Sequence, residues 1–165
     1  MKTIILLLFL TLSVGVFAQD ISQSEFQNSE WFSETNGETL FKTDSLKISK
    51  IVNFNSEQNS DLLPFLKLNF LKTKLISTLE FNDNDLRIEE IDTEWCGFNF
   101  SGQFTWKFDN NKQSLSLYRE EKLIAEYRIN TNKTELTKWN NNSTENFIEL
   151  KAEIMTLELS KLKNN

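Results

Sequence analysis

Between residues 98 and 139 the apolar side chains fall at every second position, interrupted only by short polar breaks. Phe104, Trp106 and Phe108 share one side, followed by Leu115 and Leu117, and then by Leu123, Ala125, Tyr127 and Ile129. A period of two is that of a strand with one buried face. The breaks at residues 109–112, 120–122 and 131–134 are too short to cross a sheet and suit hairpins. The stretch therefore predicts four consecutive antiparallel strands.

The same alternation extends to both sides. In residues 40–52, Leu46, Ile48 and Val52 point one way and Ser45, Lys47 and Ser49 the other, a strand pattern. Residues 53–61 are rich in Asn and Ser and read as a loop. Leu62-Leu63-Pro64-Phe65-Leu66 places proline at a strand start or edge, because its ring nitrogen has no hydrogen to donate to a ladder. Leu66, Leu68 and Phe70 then alternate. Residues 74–81 and 86–95 predict a hairpin around Asn82-Asp83-Asn84-Asp85, with Leu79 and Phe81 facing Leu86 and Ile88. After Ile88 the bulk moves to Ile91, Thr93 and Trp95, which predicts a bulge at Glu89-Glu90. Phe26, Trp31 and Phe32 stand in the polar run of residues 20–36 and predict a short helix or strand against a barrel rim, ahead of a turn at Asn36-Gly37. The tail, residues 147–162, reads as a strand with a phase slip after Ile154. A helix there would put Lys151, Glu158 and Lys161 on its apolar side.

Counting these segments gives about eight to ten strands with short connections, and the predicted fold is an all-β antiparallel up-and-down barrel. A β-sandwich of similar strand number is the alternative. Thr78-Leu79-Glu80-Phe81, Gly102-Gln103-Phe104-Thr105-Trp106, Leu115-Ser116-Leu117, and Tyr127-Arg128-Ile129 followed by Glu135-Leu136 carry a further likeness. Over residues 74–139 this succession resembles the bacterial lipocalin-like proteins. The Gly-x-Trp strand that usually opens a lipocalin barrel has its nearest counterpart in Ser29-Glu30-Trp31, without the glycine. The resemblance implies a barrel whose interior receives a small hydrophobic molecule.

The first residues change the picture of location. One charge, Lys2, precedes an apolar-to-small run over residues 4–18 that closes on Val16-Phe17-Ala18. That is the make-up of a secretory signal peptide, with an apolar core shorter than the roughly 20 residues that span a bilayer. Residues 1–18 are thus expected to be removed and residues 19–165 to form one domain. Gln19 stands where a lipidated cysteine would follow, so the expected product is exported, periplasmic or secreted, and not a lipoprotein. No later segment predicts a membrane span.

Eighteen Lys and Arg face 24 Asp and Glu, a net charge of −6 that falls by one more with Lys2. Such a surface repels nucleic acid and anionic lipid, and a monomer without nucleic-acid partners is expected. There is no histidine and one cysteine, Cys96, so neither an intramolecular disulfide nor a Ser-His or Cys-His pair is available. Glu90, Asp92 and Glu94 lie on one side of a strand at glycosidase-like spacing, but a solvated outer face explains them better. Asp83-Asn84-Asp85 lacks the glycine and distal glutamate of a calcium loop and reads as a turn. The sequence thus predicts no enzyme, no cofactor and no metal. Asn99, Asn132, Asn141 and Asn142 each begin a glycosylation sequon.

Aromatic excess is the distinctive chemistry, with 14 Phe, four Trp and two Tyr. In a small barrel such rings fill the interior or line a cavity. The candidate ligand-binding residues are Phe104, Trp106, Phe108, Leu115, Leu117 and Tyr127, a wall for a small apolar ligand. A protein-interaction or inhibitor-like module with a filled barrel is the alternative. Arg119, beside a turn, is expected in solvent.

Overall fold

In the computed structural model, which describes residues 20–35, 40–54, 77–90, 99–141 and 148–163, the alternating segments become eight strands. They are β1 (Ser29–Ser33), β2 (Ser45–Phe54), β3 (Ser77–Phe81), β4 (Asp85–Glu90), β5 (Asn99–Asp109), β6 (Ser114–Arg119), β7 (Lys122–Asn141) and β8 (Ile148–Lys161). Their order is β1-β2-β8-β7-β6-β5-β4-β3, and β3 pairs back onto β1 to close the barrel. Every ladder between them is antiparallel. Closure rules out the sandwich. From β3 to β8 sequence neighbours are also spatial neighbours, whereas β1 sits between β2 and β3.

The turns follow from their residues. Asn82 N–H donates to Asp85 O at 2.9 Å, closing β3 onto β4. Between β5 and β6 the Asp109 carboxylate accepts from the backbone of Asn111 (2.9 Å) and Lys112 (3.0 Å), an Asx turn that ends on Gln113 at φ 49°. Arg119 pairs with Lys122, which leaves a two-residue loop, Glu120-Glu121, with φ of 49° and 65°. Both residues occupy the left-handed region that a type I′ hairpin demands. The expected hairpin register is present too, with Leu79 opposite Ile88 and Phe81 opposite Leu86.

Four expectations are corrected. Residues 131–134 form no turn, because β7 runs on through them and pairs with β8 to its end. The polar run there stays in the strand, with Thr131, Lys133 and Thr134 exposed, and a register shift between Ile129 and Thr131 absorbs the change of phase. Glu89 and Glu90 pair regularly with Thr78 and Ser77, and the irregularity lies on the β5 side, between Leu86 and Ile88. Val52 does not join Leu46 and Ile48 inside. It sits at the shift between Ile51 and Asn53 and is exposed. The tail is a strand without an internal slip: Leu157 and Leu159 face the core, while Ala152 and Ile154, of opposite parity, are buried on the outer side. The predicted features at Asn36-Gly37, residues 55–76 and residues 91–98, Asp92, Glu94 and Cys96 among them, and the Asn142 sequon lie outside the described residues.

Inside the barrel, Trp31, Leu46, Ile48, Leu79, Phe81, Leu86, Ile88, Phe104, Trp106, Phe108, Leu115, Leu117, Ala125, Tyr127, Leu157 and Leu159 make one buried cluster. At roughly 1.5–3 kcal/mol for each large apolar side chain removed from water, this cluster supplies the main drive to fold. Lys47, Arg87, Lys107 and Arg128 stand exposed on the outer surface. Apolar inside and charged outside is the reverse of a transmembrane barrel. Among the described residues no helix is long and apolar enough to cross a membrane.

Candidate binding site

Both mouths of the barrel are covered by the chain itself. At the end that carries the β3–β4 and β5–β6 turns, a 3-10 turn at Gln23–Glu25 crosses the opening and sends Phe26 inward, wholly buried. Asn28, at φ 52°, then redirects the backbone into β1. The Phe26 ring lies 5.2 Å from Trp31, 5.3 Å from Phe81, 6.0 Å from Trp106 and 5.1 Å from Phe108, centroid to centroid. These are packing distances for aromatic pairs. Phe26, Trp31 and Phe32 were expected to seat a short helix or strand against the rim, and the 3-10 turn and β1 are that helix and strand, but Phe26 and Trp31 are not rim residues. They form the centre of the aromatic core instead, Phe26 because the N-terminal segment folds under the barrel and Trp31 because it lies on the inner side of β1, opposite Leu79.

At the opposite end, Leu40 is buried and Phe41 stacks on Phe104 at 5.0 Å. Tyr127 Oη donates to Leu40 O and also lies 3.2 Å from Thr43 O. Lys161 Nζ donates to Phe41 O at 2.6 Å. Burial, and secondarily the charge of Asp44, push the Tyr127 phenol up to about 12. Arg119 is exposed as expected, with its guanidinium 5.8 Å above the Phe104 ring at this mouth.

The six predicted wall residues are therefore brought together: Phe104, Trp106, Phe108, Leu115, Leu117 and Tyr127 all belong to the buried cluster. Their polar tips are already engaged. Trp106 Nε1 donates to Asn82 O at 2.7 Å, as Tyr127 Oη does to Leu40 O, so both groups serve the fold rather than wait for a guest.

A cleft lies elsewhere. The β1–β2 ladder consists of Phe32 opposite Ser49 and Ser33 opposite Ile48, and beyond them the two strands part. Into this fork opens a cavity of about 540 Å³ lined by Glu25, Asn28, Ser29, Glu30, Phe32, Lys50, Ile51, Val52 and Phe54. Its volume is within the roughly 300–1,000 Å³ of small-molecule sites. Lys50 takes its place at the inner edge, nearly buried, with Nζ donating to Glu25 O (2.7 Å) and Glu25 Oε2 (2.5 Å) and standing 4.9 Å over the Trp31 ring. Phe32, Ile51, Val52 and Phe54 supply the apolar wall.

Sequence reasoning missed this site because the fork is created by β1 inserting between β2 and β3. The signal it left was Lys50, a charge on the inward parity of Leu46 and Ile48. Among the described residues no group of three or more Cys, Asp or Glu side chains could hold a metal ion. No family model, curated protein or solved structure matches this chain.

Proposed function

We propose that this is an exported, non-enzymatic, lipocalin-like binding protein, and that its ligand is a small molecule seated in the β1–β2 fork rather than in the barrel. The cleft itself carries the reading: it combines an apolar wall of Phe32, Ile51, Val52 and Phe54 with a polar side of Glu25, Asn28, Ser29, Glu30 and Lys50. That side holds an ion pair, Lys50 with Glu25, whose charges compensate each other. It suits a neutral hydrogen-bonding end, a hydroxyl or amide, because Glu25 already neutralises the nearly buried Lys50 and a charged end would have to break that pair. Export rests on the leader-like residues 1–18. The interior of the barrel, the site that the lipocalin resemblance implies, is occupied by Phe26 and its ring partners.

Titration of the isotopically labelled protein with a medium-chain alcohol, the matching carboxylate and the matching amine tests this. Saturable amide shifts from the alcohol should centre on Phe32, Ile51, Val52 and Phe54, and Val52→Arg, at an exposed position, should abolish them without changing the fold. Shifts centred on Phe104, Trp106 and Tyr127 would return the ligand to the barrel interior. A second reading, a protein-interaction module with a filled barrel, is favoured by the same ring packing and becomes the better one if no probe binds.

A further inference from the structure

The cleft and the plug of the barrel share one piece of chain. Residues 21–28 form a strap across the mouth, with Ile21 and Phe26 buried beneath it and residues 22–24, 27 and 28 exposed. A segment anchored by two buried side chains and otherwise open to water is of the kind that opens locally, without global unfolding. Side chains of the barrel turns fasten it. Gln113 pairs with the backbone of Ile21, Gln23 N–H donates to Asn110 Oδ1 at 3.1 Å, and Gln27 Nε2 donates to Asp83 Oδ1 at 3.3 Å.

A further fastening stands inside the cleft. Lys50 Nζ donates both to the carboxylate and to the carbonyl of Glu25, and Ser29 Oγ donates to Glu25 O and Phe26 O. Glu25, Asn28 and Ser29 line the cleft, while Phe26, in the same short stretch, fills the barrel. Withdrawing the strap therefore carries Glu25 away from Lys50 and takes down one wall of the cleft.

We propose, on the reading of the β1–β2 cleft as the ligand site, that its ligand locks the strap over the barrel mouth. Cleft occupancy and exposure of the aromatic interior then exclude one another. A ligand that binds only the strapped form stabilises it by mass action, and the open fraction falls by the factor 1 + [L]/Kd. The free protein thus uncovers Trp31, Phe81, Trp106 and Phe108 more often than the liganded one, so an apolar surface is presented or withdrawn according to the ligand.

Amide hydrogen exchange of the mature protein, with and without the medium-chain alcohol, tests it. Ile21 N–H is held by Gln113 Oε1 and Phe26 N–H by Gln23 O, so both report strap opening. The amides of Arg119 and Lys122, paired in the hairpin at the other mouth, open without the strap and serve as the control. Alcohol at a hundred times its Kd should slow exchange at Ile21 and Phe26 by about 100-fold and leave Arg119 and Lys122 unchanged. In the absence of ligand, Lys50→Met should speed exchange at Ile21 and Phe26 by about tenfold, with the control again unchanged. Glu25→Gln, a milder change on the strap itself, should act in the same direction. Alcohol shifts at Ile51 and Val52 together with unaltered exchange at Ile21 and Phe26 overturn the lock while leaving the cleft as the ligand site. Absence of those shifts removes the ligand site and the lock with it, and unaltered exchange in both variants shows that the cleft does not fasten the strap.

Discussion

Gln113 and Ile21, 92 residues apart in sequence, are joined by a two-way amide pair. Ile21 N–H donates to Gln113 Oε1 at 2.8 Å, and Gln113 Nε2 donates back to Ile21 O at 2.9 Å and to Asn110 O at 2.7 Å. One side chain thus acts as a strand neighbour for the segment that carries Phe26 under the barrel. Gln113→Ala should cost about 1–2 kcal/mol in urea unfolding, the net value of one or two partly buried hydrogen bonds. Gln113→Glu keeps the acceptor but sets a carboxylate against two carbonyl oxygens, and its deficit should shrink as pH falls and the carboxyl becomes a donor. Equal deficits for Glu at acidic and neutral pH would argue against the pairing.

Phe26 is the test of whether the barrel is filled. Its ring touches Trp31, Phe81, Trp106 and Phe108, so truncation should leave a hole beneath them. Phe26→Ala is expected to lose roughly 3–5 kcal/mol and to gain binding of a benzene-sized probe that wild type does not take up inside. Trp106→Ala should cost a similar amount, since its indole also holds Asn82 O. Probe binding in the interior of wild type, lost in Trp106→Ala, would mean that the rings part to admit a guest.

How much of this was legible in the sequence depends on the range of the interaction. Leu79 opposite Ile88 and a turn within residues 120–122 could be read because alternation on both sides of a short turn fixes the register locally. Leu115, Leu117 and Tyr127 could be placed in one wall for the same reason. The role of Phe26 could not, because its partners are supplied by β1, β3 and β5 only after the barrel closes. Residues 131–134 misled because Thr, Asn and Lys compose a strand with exposed side chains as readily as a turn. The fork at Lys50 depends on β1 lying between β2 and β3, which no local pattern encodes.

Glu120 and Glu121 offer a stabilising change. Both hold positive φ, in a loop where Asn-Gly is the favoured pair. A non-glycine residue in the left-handed region costs roughly 1–2 kcal/mol, so Glu121→Gly should raise stability by up to about 1 kcal/mol after the added unfolded-state entropy is subtracted. Chemical denaturation measures this directly. A loss of stability would show that the Glu121 side chain contributes something that the backbone geometry does not.

Tyr127 sets an alkaline limit on the fold. Its phenol is pushed up to about 12 from the ordinary 10.0, mainly by burial, so the unfolded chain releases this proton first. Between pH 10 and 12 the unfolded state therefore binds fewer protons than the folded one, and stability must fall as pH rises through that window. The contribution is fully present below pH 10, and its loss amounts to at most ~3 kcal/mol at 1.36 kcal/mol per unit. Tyr127→Phe should remove this part of the pH dependence while costing about 1–2 kcal/mol at neutral pH, because Leu40 O and Thr43 O lose their donor. Urea unfolding of both proteins at a series of pH values between 8 and 12 separates the two effects. If the wild-type and Tyr127→Phe curves stay parallel above pH 10, the phenol is not the group that limits alkaline stability, and the clasp over the barrel mouth is weaker than its geometry implies.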